Sequence, residues 1–267
     1  MMLIGGLLGL VIGAVLGLTG AGGGIFAVPA LVFGLGMDIR GATPVALMAV
    51  GSAAMLGALQ GLRQGLVRYK AAIVLAAAGT ITAPLGVRLA NWLPSRWLNL
   101  IFVVAMLVVA YRMFMSSRGA RNDGELSVAQ SGVCKVSKDT GRFIWNLRTV
   151  TTLASIGAVS GLFTGMLGVG GGFIIVPALG YFSELRMHSI VATSLLVIAL
   201  LSAVTVFITF GQSLSLTAPT WAFSAVALVG MAVARFLGAK IPSTALQRIF
   251  AIACIVVAIM MLMRNMG

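Results

Sequence analysis

Residues 17–31 read Gly-Leu-Thr-Gly-Ala-Gly-Gly-Gly-Ile-Phe-Ala-Val-Pro-Ala-Leu, and residues 165–179 read Gly-Met-Leu-Gly-Val-Gly-Gly-Gly-Phe-Ile-Ile-Val-Pro-Ala-Leu, the same motif 148 positions later. The match extends in both directions. Upstream, Gly9 and Gly13 return as Gly157 and Gly161. Downstream, Pro94-Ser95, Leu98, Ile101-Phe102 and Val108-Val109-Ala110 return at the same offset as Pro242-Ser243, Leu246, Ile249-Phe250 and Val256-Val257-Ala258. Between those blocks Ala42-Thr43 and Ser52-Ala53 match Ala192-Thr193 and Ser202-Ala203 at an offset of 150, which implies a two-residue insertion. The chain is two copies of one module, and such a repeat dictates the architecture before any helix is assigned.

Composition sets the solvent. Of 267 residues 60% are hydrophobic and 9% charged, with 34 glycines and a mean hydropathy of +1.11. Soluble domains carry roughly 25% charged residues, so these values indicate an all-α polytopic membrane protein, in whose spanning helices glycine is common. A membrane barrel would alternate apolar and polar residues over segments of about ten, whereas Leu98 to Val109 is apolar on every face. The net charge of +13 lies mostly in short loops and one polar stretch, the pattern expected beside anionic lipid and not a nucleic-acid surface. Cys134 and Cys254 offer neither a disulfide framework nor a metal spacing. The opening Met1-Met2-Leu3-Ile4-Gly5 lacks a basic n-region, so the first helix is expected to be retained.

Three units follow: a first membrane repeat over 1–115, a polar basic linker over 116–148, and a second repeat over 149–267. The linker has too few apolar residues to build a core. Ordinary helices are expected over Ala42–Leu62, Tyr69–Leu89 and Trp97–Met115 in copy one, and over Ile190–Phe210, Pro219–Leu237 and Ala245–Met263 in copy two. Each is near the ~20 residues needed to cross. The segment Leu3–Gly36 differs, because Thr19–Gly24 splits it into pieces of about 16 and 12 residues, each short of a ~30 Å hydrocarbon core at ~1.5 Å per residue. The break therefore falls at membrane depth. If that segment doubles back, the copies are inverted and the 18 cations divide 14 to 4 between the two faces; if it crosses once, the copies are parallel and they divide 11 to 7. The positive-inside rule favours inverted repeats with a cytoplasmic linker.

Gly5, Gly9, Gly13 and Gly17 recur every four residues, as do Gly157, Gly161 and Gly165, and such small-residue ridges pack helices in lipid. Gly22-Gly23-Gly24 and Gly170-Gly171-Gly172 fit no helical face and interrupt the helix. Interrupted backbone inside a membrane survives where protein buries it or where it lines a wet cavity, and the following helix offers N–H groups and partial positive charge to an anion. A pair of matched interruptions points to a midplane transport site. The candidate substrate contacts are Thr19, Gly20, Gly22, Gly23, Gly24, Thr43 and Ser52 in copy one, and Gly168, Gly170, Gly171, Gly172, Thr193, Ser194 and Ser202 in copy two. Thr43 with Pro44, and Thr193 with Ser194, are expected to open the next helix, where a hydroxyl either caps it or meets substrate. Ser52 and Ser202 either line the same cavity or bond back to their own helix.

Pro29 and Pro177 are candidate gating kinks. Arg88 and Arg235 either snorkel to the interface or form an anion vestibule, while Trp92, Trp97, Trp145 and Trp221 read as interface anchors. Asp38, Asp123, Glu125, Asp139 and Glu184 all fall in loops or at helix ends, so no carboxylate is expected at midplane to hold a cation or relay protons. His188 beside Glu184 reads as a solvated pair at a helix end. No nucleophile–base pair, metal cluster or cofactor motif is visible, so the chain reads as a non-enzyme without a cofactor.

The twin motifs, each followed by Ala-Thr-Pro or Ala-Thr-Ser, resemble the TauE/SafE-type sulfite exporter permeases, and the resemblance covers both halves but not the linker. It implies a bacterial inner-membrane permease for small sulfur-containing anions such as sulfite, sulfoacetate or related sulfonates, with the lipid bilayer and the anion as partners; it sets neither direction, coupling ion nor oligomeric state. The other reading of the residues is a non-transporting scaffold whose glycines serve packing alone.

Overall fold

The computed structural model describes residues 2–19, 23–119, 145–183, 185, 187–209, 218–237 and 243–266, with side chains for 5–17, 23–112, 145–183, 185, 187–209, 220–234 and 251–263. Most of the linker, Gly20 and Gly22 lie outside the described residues, as do the side chains of Thr19 and Arg235.

The described residues form ten helices and no strand: α1 (Met2–Thr19), α2 (Gly24–Gly34), α3 (Ile39–Arg63), α4 (Tyr69–Trp92), α5 (Ser95–Gly119), α6 (Leu147–Leu167), α7 (Gly172–Phe182), α8 (Met187–Thr209), α9 (Ala218–Leu237) and α10 (Ser243–Met266). The first five and the last five correspond one to one. Among the described residues, α3, α4, α5 over Ser95–Arg112, α6 and α8 are long and apolar enough to cross a bilayer. Ile81, Leu85, Val104, Val229 and Ile252 turn outward, as lipid-facing side chains do.

Glycine decides how the copies fit together. A Cβ at Gly9, Gly13 or Gly17 of α1 would collide with the backbone of α9 at Phe223, Ala227 and Met231; a Cβ at Gly157, Gly161 or Gly165 of α6 would collide with α4 at Leu75, Gly79 and Ala83. Every one of these contacts maps onto its counterpart by the repeat offset. Each copy's first helix thus packs backbone to backbone against a helix of the other copy, the close approach that small-residue ridges permit. The corresponding helices α3 and α8 pack on each other, with Gly51 against Ser202 and Gly61 against Ala192, so they run antiparallel. Helices α5 and α10 also pair.

The broken segment doubles back. Gly23 lies against Leu16 and Gly34 against Leu8, so α2 returns along α1. At ~1.5 Å per residue α1 and α2 span about 27 and 16 Å, in keeping with a break at membrane depth. The 21 residues of α6 span about 31 Å, so the shortfall expected from copy one does not carry over to this helix. Its additional length is a polar first turn: Asn146 accepts from Leu147 N at 2.8 Å, and the hydroxyls of Thr151 and Thr152 bond back to Leu147 and Arg148 carbonyls. Helices α3 and α8 likewise begin before the expected Ala42 and Ile190. Asp38 is the N-cap of α3, its carboxylate accepting from Arg40 N at 3.4 Å. Thr43 and Thr193 therefore sit inside α3 and α8 and cap neither helix.

Candidate functional site

The second break is held in left-handed backbone at three glycines, Gly168 (φ 73°), Gly170 (φ 77°) and Gly171 (φ 70°), a conformation that penalises any Cβ. Gly168 closes α6 by donating its N–H to Thr164 O at 2.9 Å. Two hydroxyls beneath the break fix it further. Ser160 Oγ donates to Gly171 O at 3.1 Å, and Thr164 Oγ1 donates to Ser160 O at 2.7 Å, both side chains fully buried. The sequence reading missed Ser160 and Thr164. The signal was present, because the repeat offset aligns them with the apolar Ile12 and Leu16.

The first break differs where it is described. Gly23 is right-handed (φ −58°, ψ −29°) and packs on the Leu16 backbone. Pro29 and Pro177 each occupy the sixth position of an eleven-residue helix, α2 and α7, where the missing N–H removes one helical bond.

The two breaks come together. A Cβ built on Gly24 would lie 2.6 Å from Val169 O and 3.1 Å from Val50 Cγ1, and one built on Gly170 would lie 3.5 Å from that same Val50 atom and 3.4 Å from Ser202 Oγ. The junction of α2 with the second break is thus clasped between α3 and α8. Ser202 is 1% exposed, and its hydroxyl has no hydrogen-bond partner among the described residues. Its neighbours in kind are satisfied: Ser52 bonds back to Ala49 O at 3.0 Å, Ser194 to Ile190 O at 2.7 Å and Thr43 to Ile39 O at 2.8 Å, while Thr193 Oγ1 accepts from Arg68 N at 3.0 Å. A buried hydroxyl left alone costs about 1–3 kcal/mol, so Ser202 requires an explanation that the others do not.

At the junction itself the side chains of Val50 and Ile198 approach the glycines. A cavity of about 280 Å³ opens beside it, bounded by Arg40, Thr43, Asn91, Thr209 and the Gly165-Met166 end of α6. Gly168 touches Thr43 at its inner wall. Arg88 is exposed and does not line this cavity; Val87, Ala90 and Asn91 present the inward face of α4, and Arg40 supplies the cation. The arginine that lines this cavity is therefore on α3.

Residues 5–261 match the model of the sulfite exporter TauE/SafE family. The chain belongs to that family. The region matched begins in α1 and ends in α10, so both glycine breaks and the cavity beside them are family-matched TauE/SafE sequence. This TauE/SafE chain is 25% identical over 258 residues to a probable membrane transporter protein of Xylella fastidiosa strain Temecula1, covering 95% of the chain and 92% of the relative. It is 28% identical over 195 residues to a similarly described protein of strain 9a5c, covering 73% of the chain and 68% of the relative. No solved structure matches it. Family and relatives together make it a membrane transporter.

Proposed function

We propose that this TauE/SafE transporter is a secondary transporter or facilitator that moves a small sulfur-containing anion, such as sulfite, sulfoacetate or a related sulfonate, across the bacterial inner membrane. The observation that carries the reading is the convergence of the breaks, with Gly24 of one copy against Val169 of the other and the solitary hydroxyl of Ser202 beside them. Helix-start N–H groups and hydroxyl donors are the ligands a small oxyanion takes. Ser202 is the foremost donor, and the glycines of both breaks with Thr43, Ser52, Thr193 and Ser194 make up the rest of the set.

The antiparallel pairing of α3 with α8 supports inverted repeats, since an axis in the membrane plane pairs equivalent helices head to tail and an axis along the membrane normal pairs them in parallel. On this reading the linker is cytoplasmic, and Arg40, Arg88, Arg96 and Arg264 face outside. Alternating exposure of a site between repeats follows from rocking of packed bodies. Because α1 rides on copy two and α6 on copy one, the bodies that rock cut across the repeat boundary.

Ser202→Ala tests the proposal. It removes a donor for substrate while leaving the packing intact. Uptake of labelled sulfite and sulfoacetate into proteoliposomes is expected to fall about tenfold or more, with the thermal unfolding midpoint unchanged or raised, since an unpartnered hydroxyl destabilises the fold. Unchanged uptake would overturn the site. Absence of sulfite and sulfoacetate uptake by the parent protein would overturn the sulfur-anion substrate.

A further inference from the structure

We infer that the cavity beside the second break is the outer mouth of the anion pathway, with Arg40 as the charge that gathers substrate; this rests on the transport reading above. The cavity is bounded by α3, α4, the start of α5 and the end of α6, and Arg40 is the charged side chain among its described lining residues. The guanidinium is pinned: Nη2 donates to Leu93 O at 2.5 Å, which ties α3 to the turn between α4 and α5. It makes no ion pair with any described residue. The nearby carboxylate of Asp38 takes Arg40 N at 3.4 Å and lines a separate, smaller cavity with Asn99 and Met261. A pinned cation with no ion-pair partner among the described residues, over low-dielectric walls such as Val87 and Leu98, focuses field into the opening and raises the local anion concentration.

The position of the cavity fits the role. Its inner wall is Thr43, which touches Gly168, so an anion held by Arg40 and Asn91 lies one step from the left-handed backbone of the second break. The space of about 280 Å³ accepts a small oxyanion with several waters, each of which takes ~30 Å³ in the liquid. The chemical class is a small free oxyanion. An anionic lipid headgroup shares that chemistry, and the experiment separates the two.

Gly41 lines the same cavity, and a Cβ built there meets only Met37 Cε at 3.8 Å, so Gly41→Cys adds a reporter thiol without a clash. In full-length protein with Cys134 and Cys254 replaced by Ala, held in phosphatidylcholine nanodiscs, the labelling rates with sulfonatoethyl and trimethylammonioethyl methanethiosulfonate are measured and normalised to a free thiol. The anionic reagent is expected to win by about tenfold. Arg40→Gln should bring the ratio near parity. Asn91→Asp, which leaves the Arg40–Leu93 bond in place, should lower it likewise, guarding against a folding artefact of the first variant. A ratio near one in the parent, or one that neither variant lowers, overturns the inference. Sodium sulfoacetate, which does not attack the reagent, is expected to slow labelling relative to sodium chloride at matched ionic strength; protection only by added phosphatidylglycerol would assign the cavity to a lipid headgroup and overturn it as a mouth. Because labelling needs no turnover, failure of the Ser202 uptake test and failure of this one are distinguishable.

Discussion

The two glycine breaks carry the same motif and are built differently. In copy two, three left-handed glycines rest on the buried hydroxyls of Ser160 and Thr164; in copy one, Gly23 is right-handed and rests on Leu16, with Ile12 and Leu16 standing where those hydroxyls would be. The helix packing is thus common to both copies, while the hydroxyls of Ser160 and Thr164 that hold the second break have apolar counterparts in the first. Ser194 has Pro44 as its counterpart, and Ser202, unpartnered, has the back-bonded Ser52. Among the described hydroxyls beside the breaks, the unpartnered one belongs to copy two.

What the copies share should fail equally. Gly13→Ala drives a methyl into the Ala227 backbone, and Gly161→Ala drives one into Gly79, so each pair of helices must separate. Both variants are expected to lose more than about 4 kcal/mol and give little monodisperse protein on size-exclusion chromatography; a large loss in only one would break the exchange relation. Where the copies differ, effects should part. Ser160→Ile imports the first copy's larger residue into a fully buried site and removes the side-chain donor to Gly171 O, which keeps its backbone donors Ile174 N and Ile175 N, for an expected loss of about 2–4 kcal/mol in thermal unfolding. Ile12→Val at the equivalent position should lose about 0.5–1.5 kcal/mol.

A smaller difference lies on the crossed helices. Thr82 Oγ1 donates to Ala158 O at 2.7 Å, whereas its counterpart Gly230 sits bare against the Leu10 carbonyl. Thr82→Val should cost about 1 kcal/mol, read as a downward shift in unfolding midpoint with uptake retained. Least of all, Ser52→Ala removes a bond to its own helix and should change stability by under about 0.5 kcal/mol and lower sulfite uptake less than Ser202→Ala does. Equal losses of uptake in Ser52→Ala and Ser202→Ala would dissolve the asymmetry between the halves.

The duplication, the helices and the broken segment were legible because glycine spacing and apolar runs are local properties. Which helix each ridge would meet was not: periodic glycines announce that another backbone approaches without saying whose, and the partner of Gly9 is in the penultimate helix. Helix starts slipped at Thr43 and Thr193 because Asp38 takes the cap of α3 while Thr43 bonds to its own preceding turn, and because Thr193, well inside α8, accepts from Arg68 N across the helices. Arg88 was legible as a cation near a helix end, but whether it or Arg40 faces the cavity depends on how α4 is rotated against α3 and α6. Ser160 and Thr164 were hidden by being read along their helix, when reading them across the repeat sets them apart from Ile12 and Leu16.

The crossed pairing of α1 with α9 and α6 with α4 also governs assembly. During synthesis the first helix enters the bilayer with its glycine groove facing lipid and must wait for almost the whole chain before its mate emerges, whereas α6 finds α4 already in place. Folding therefore closes with a clasp between the first helix and the penultimate one. Severing the linker should be survivable when both fragments are made together, but neither fragment alone has the helix its own groove was shaped to receive.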